Sequence, residues 1–231
     1  MDGVNLKTEN GLIFLDYFYL NYIDNSWERS LSLFKEAENL YKIYNLKHKL
    51  INILGHQGVI NRKIRSYDLA LKYLQEAKVI AIQLNYEISL EWVNHHIAYV
   101  FLNQGQYDLA QELSQEGLEK SILAKRDNIT GDFYEQIGLI RLGQNKVNEA
   151  VESFKLSLFF RKKIGNIHGT ASSYKHLSLA YLINGKYIKS YQAIKECLII
   201  FHNLKVLDFT RTYRIVCLFL EWAIGKKSWT S

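Results

Sequence analysis

Small and bulky positions recur along this chain with a period of 40 residues. Steps of 40 from Ser30 reach Ala70, Ala110, Ala150 and Ser190, all small. Three residues before each stand Trp27, Tyr67, Tyr107, Val147 and Tyr187, all bulky. Twelve residues before each lie Phe18, Gly58, Ala98, Gly138 and Ser178. Self-similarity at a fixed period of this size predicts a repeat array.

Residues 86–124 illustrate one period. The pattern predicts a helix to about Leu102, a turn at Asn103-Gln104-Gly105 and a second helix from Gln106 to about Ala124. Glycine suits the left-handed conformation that closes a helix. Lys125-Arg126-Asp127-Asn128 is polar and turn-forming, and predicts the connection to the next period. Each period is therefore a helical hairpin. Its small residues fall where two helices approach, because a large side chain there would hold the axes apart. No hairpin buries its apolar face alone; stacking neighbours does so. Proline is absent, which suits long uninterrupted helices.

The Gly/Ala/Ser slot, the aromatic opening the second helix, the small residue three later and the apolar Phe34, Leu74, Phe154 and Ile194 beyond it resemble the tetratricopeptide repeat. Ser114 interrupts the last slot. The period exceeds the family's usual ~34 residues and is similar to the extended form of kinesin light chains and bacterial regulators. Residues 153–191 match that form best, and the family's proline near the repeat end is missing. The resemblance implies an all-α, right-handed α-α superhelix of five hairpins plus a C-terminal helix. The expected boundaries are an extension at 1–10, repeats at 11–46, 47–86, 87–126, 127–166 and 167–206, and a terminal helix and tail at 207–231.

Composition narrows the classes. Hydrophobic residues make up 48% and charged residues 23%, which is too apolar for a disordered chain. No long charge-free apolar run predicts a membrane span, and MDGVNLKTEN lacks the basic-then-apolar order of a signal peptide. A cytoplasmic location is expected. Cys197 and Cys217 fall on core-facing positions and read as buried free thiols. The net charge of +6 is uneven: residues 1–115 hold 11 Lys/Arg against 13 Asp/Glu, and residues 116–231 hold 18 against 10. The basic half, with Arg161-Lys162-Lys163, Lys186, Lys189, Lys195 and Lys205, suggests nucleic acid or an acidic partner, or else solvated helix faces.

The resemblance implies that the first helices line a ligand groove. The groove positions are then Asp16, His56, His96, Gln136 and His176, with His95, Glu135 and Lys175 one residue before this walk, Asn52, Trp92 and Asp132 four before it, and Tyr19 and Tyr99 three after it. Four of the seven histidines lie here. Equivalent positions on stacked helices stand roughly 8–10 Å apart, too far to share one metal ion. No metal site, cofactor, nucleotide loop or nucleophile motif is expected, and the chain reads as non-catalytic. The expected role is a scaffold or adaptor that binds a peptide or helix through this polar ladder, with pH sensitivity from its histidines. The lysine–asparagine clamp of chaperone-tail binders is absent. Residues 11–23 and 212–224 are apolar all round, which suggests terminal helices covered by self-association or by further protein.

Overall fold

The computed structural model describes residues 26–204. Among them are nine helices and no strand: α1 (Ser26–Ile43), α2 (Lys47–Lys63), α3 (Tyr67–Gln83), α4 (Glu87–Asn103), α5 (Tyr107–Leu123), α6 (Asp127–Gly143), α7 (Val147–Lys163), α8 (Ile167–Ile183) and α9 (Tyr187–Asn203). From α2 onward every helix has 17 residues. The described part of the array thus begins with the second helix of the first repeat. Asp16 and Tyr19, the apolar stretches 11–23 and 212–224, Lys205 and Cys217 lie outside the described residues.

Among the described residues one kind of turn follows each helix from α1 to α8. Asn45, Arg65, Asn85, Gly105, Lys125, Asn145, Gly165 and Gly185, spaced by 20 residues, all have φ between 52° and 75°. At each, two backbone bonds satisfy the last carbonyls of the preceding helix. Tyr86 N–H donates to Ala81 O at 2.9 Å, and Asn85 N–H donates to Ile82 O at 3.1 Å. The pattern is the Schellman motif, whose left-handed residue reverses the chain. The turn is shorter than the polar runs of the sequence suggest. Asp127 and Asn128 already belong to α6, and Ile167 to Gly169 already belong to α8. Asn166 explains the second case: its side chain accepts the Gly169 N–H at 2.8 Å and caps α8 immediately after the turn.

The small slots do what their spacing predicts. A Cβ on Gly58 would lie 2.5 Å from Leu74 Cγ, and one on Gly138 would lie 2.5 Å from Phe154. These glycines let α2 meet α3 and α6 meet α7 at close range. At the last hairpin the slots are Ser178 and Ser190, whose hydroxyls lie 3.1 Å apart, with Ser190 also donating to Ser178 O at 2.6 Å. Ser114 is fully buried and returns its hydroxyl to Ala110 O at 2.7 Å, so its polar atom is satisfied inside the helix.

The chain forms two compact units, residues 1–117 and 118–231, and the division falls inside α5. Unit 1 is built on Phe34, Tyr41, Leu54, Leu74 and Val93. Unit 2 holds one cluster around Phe154, Leu177 and Ala180 and another of Leu118, Ile129, Phe133 and Ile137. Burying one such aromatic or aliphatic side chain stabilises by about 1.5–3 kcal/mol.

Candidate functional site

The first-helix positions form a different surface in each unit. In unit 1, α2 and α4 carry a run of rings. His56 stacks on Phe34 with centroids 5.9 Å apart and meets the edge of Trp92 at 5.4 Å. Trp92 meets His96 at 4.3 Å, and His95 meets His96 at 5.3 Å and Tyr99 at 4.9 Å. The Arg62 guanidinium lies over the Tyr99 ring at 4.9 Å. Gly55 makes room for this run, since a Cβ there would fall on the Trp92 ring. His95 is buried, His56, Trp92, His96 and Tyr99 are partly buried, and Asn52 is exposed.

Burial holds the His96 imidazole well below the ordinary histidine value of 6.5, and the nearby His95, Arg62, His56 and Lys63 push in the same direction. Its Nδ1 is enclosed with no hydrogen-bond partner among the described residues. His96 is thus a neutral ring packed on Trp92.

In unit 2 the corresponding helices α6 and α8 are joined by an ion network centred on Arg161 of α7. Arg161 is only 4% exposed. Its Nη1 and Nη2 donate to Glu135 Oε1 and Oε2 at 2.7 and 2.9 Å, and Nη2 also donates to Asp132 Oδ1 at 2.7 Å. Nη1 reaches Gly169 O at 3.0 Å and Ser173 Oγ at 3.1 Å. Glu135 Oε1 further accepts from Ser172 Oγ at 2.8 Å and lies 2.9 Å from His176 Nδ1. The His176 ring stacks on Phe154 at 5.4 Å.

Burial by itself would raise the Glu135 carboxyl. The bonds from His176 and Arg161, with the guanidinium charge, outweigh it and hold the group well below the usual carboxylate range. Desolvation likewise opposes the Arg161 charge, and Glu135 and Asp132 overcome it, so its pKa is raised.

No protein-family model matches the chain. A clustered mitochondria protein homolog of Candida albicans is 31% identical over 135 residues, covering 54% of this chain and 10% of that protein. Aspartyl phosphate phosphatase F of Bacillus subtilis superposes with a TM-score of 0.73 at 16% identity, over 94% of this chain and 57% of that one. A signal transduction ATPase of Pyrococcus horikoshii with a tetratricopeptide repeat sensor gives 0.70 at 18% identity, over 98% and 33%. A Podosopora anserina kinesin light chain of nearly identical TPR-like repeats gives 0.59 at 14% identity, over 87% and 97%. The chain has the tetratricopeptide-repeat fold. It spans about a tenth of the curated relative's length, and 57% and 33% of the first two structures.

Within this fold, one register position acquires unlike surroundings. His56 and His96 join the ring cluster of unit 1, Gln136 is fully buried, and His176 belongs to the ion network. Asp132 and Lys175 stay accessible, while Glu135 is 6% exposed and serves the interior. Lys163 pairs with Asp127 at 2.6 Å and Lys162 donates to the Tyr174 hydroxyl at 2.8 Å.

The basic run at Arg161 is divided: Arg161 is buried, whereas Lys162 and Lys163 are exposed, each with one polar partner. Arg161 is the buried charge that reading by local charge misses. A signal was present in the register: the same walk gives Tyr41, Ala81 and Ser121, all buried, so a charge in that slot demands a partner inside.

Among the described residues no group of three or more His, Cys, Asp or Glu side chains is placed to hold a metal ion, and no helix is long and apolar enough to cross a membrane. Cys197 is a buried thiol that burial pushes up to about 11, which keeps it unreactive at neutral pH.

Proposed function

We propose that this protein is a non-catalytic interaction scaffold or adaptor that binds a peptide or helix along the first helices of its repeats. The observation that carries this reading is the division of labour between slots. The small slots Ser30, Ala70, Ala110, Ala150 and Ser190 are consumed by packing, and the bulky slots before them only in part. The first-helix slots instead present Asn52, Trp92 and Tyr99 in unit 1, and Asp132, Lys175 and His176 in unit 2, wholly or partly open to solvent. The fold supports the reading, since repeat arrays expose extended binding surfaces. The Pyrococcus neighbour's repeats are described as a sensor, which suits a regulatory role. The phosphatase named among the neighbours shares the fold at 16% identity, and its activity is not carried over.

Asn52→Ala and Lys175→Ala test the reading best, because both side chains are exposed. A partner captured from native cytosol would be purified and titrated against wild type and the double variant. A loss of about tenfold or more, roughly 1.4 kcal/mol, is expected. Equal affinity would remove the groove from the account.

A second reading, nucleic acid or an acidic partner on the basic half, rests on Lys186, Lys189 and Lys195, which are exposed on and beside α9. Titration of random-sequence RNA at rising salt separates the two: a protein that neutralises several phosphates loses affinity steeply with salt. Absence of binding at low salt ends that reading.

A further inference from the structure

We infer that Glu135 and His176, braced by Arg161, form one recognition point in unit 2, at which the bare Nε2 of His176 accepts a hydrogen bond from a main-chain N–H of a bound peptide. This rests on the scaffold reading and adds the chemistry of one contact.

An ionised carboxylate has no proton to give, so the 2.9 Å contact between Glu135 Oε1 and His176 Nδ1 requires the proton to sit on Nδ1. In the neutral form of the ring, with its one N–H on Nδ1, Nε2 keeps a lone pair. The ring is held in two dimensions, by Glu135 at its edge and by the Phe154 ring on its face, 25° from parallel. It is 15% exposed. No described residue bonds its Nε2.

The other polar groups around it are already committed. Ser172 donates to Glu135, and Ser173 shares hydrogen bonds with Arg161 and Ser157. No hydroxyl is therefore directed at His176 as a nucleophile would be. Two acceptors remain for a ligand beside the exposed Lys175 ammonium: His176 Nε2 and the second oxygen of Asp132, whose side chain is 42% exposed. These two acceptors select donors, and an extended peptide supplies one at every residue except proline.

Arg161 acts through Glu135 and is a positioning residue. Without the guanidinium, a carboxyl buried at this depth would take up a proton and could then donate to Nδ1, turning Nε2 from acceptor to donor.

The first measurement is long-range proton–nitrogen NMR of the full chain with labelled histidine at neutral pH. His176 should appear as the Nδ1–H tautomer, and Arg161→Met should reverse it. A wild-type ring protonated at Nε2 overturns the inference, and that reading does not depend on any variant folding.

The second measurement takes a peptide of about twelve residues selected from a random library on the full chain, remade with each amide N-methylated in turn. One methyl should weaken binding to wild type by about tenfold and leave binding to His176→Phe nearly unchanged. The same profile on both proteins overturns the inference while leaving the scaffold reading intact. Failure to select any peptide overturns both.

Discussion

Arg161 grips Glu135 through two parallel hydrogen bonds of 2.7 and 2.9 Å, with the arginine 4% and the glutamate 6% exposed. The arginine stands on the second helix of its hairpin and the glutamate on the first, and Ser173 of the following hairpin completes the set. One cation thus ties three helices.

Removing the guanidinium leaves a buried carboxyl that must either stay charged without its cation or take up a proton, and both cost stability. Arg161→Met is expected to destabilise unit 2 by about 3–5 kcal/mol. The double variant Arg161→Met/Glu135→Leu should recover much of that loss, because an apolar pair of similar volume avoids desolvating two charges. Urea denaturation followed by circular dichroism on the four proteins of the cycle checks the order. If the double variant is as weak as the sum of the singles, the pair is not coupled.

Acid should weaken the two units by different groups. His96 binds its proton less readily folded than unfolded, so its contribution is complete above the ordinary value of 6.5 and falls as pH drops from there toward its lower folded value. Glu135 is also lowered, and its contribution is present above the ordinary 4.5 and lost only in more acid solution. Melting temperatures at pH 7.5 and 5.5 should therefore differ in wild type, and differ less in His96→Phe, which keeps a ring on Trp92 and cannot titrate. An unchanged pH difference in that variant would assign the effect to other groups.

Gly138→Ala places a methyl 2.5 Å from the Phe154 ring. Overpacking of this kind costs about 1–3 kcal/mol. Adding Phe154→Leu should return part of the stability, measured as the urea midpoint, because it removes the atoms that the methyl meets. A larger loss in the double variant would mean that the ring, rather than the close approach, sets the energy.

The turns offer a test of opposite sign. Arg65 has φ of 65° and Lys125 has φ of 53° with no glycine to relieve them. Arg65→Gly should stabilise and Gly185→Ala destabilise, each by about 1 kcal/mol, because a Cβ is unfavourable in the left-handed region. Thermal melts of the two variants against wild type decide it.

Much of the fold was legible from spacing. Gly58, Gly138 and Ser178 sit where α2, α6 and α8 meet their partners, as a step of 40 predicts. The turns were legible in position but not in length, since Asp127 and Asn128 look like loop residues until the backbone bonds of the preceding turn are counted. The candidate site was legible only as a set of positions. His56, His96, Gln136 and His176 share a register and nothing else: two are rings against Trp92, one is fully buried, and one is bonded to a carboxylate.

The sequence by itself determined the period, the hairpins and the close-packed slots, because these depend on side-chain volume repeated at fixed separation. Tertiary structure alone decided which charges face inward and which imidazole nitrogen meets a carboxylate. Those properties arise between residues 26 and 41 positions apart in the chain, Arg161 with Glu135 and His176 with Glu135. Local sequence sets neither the distance between such groups nor the water that burial removes from them.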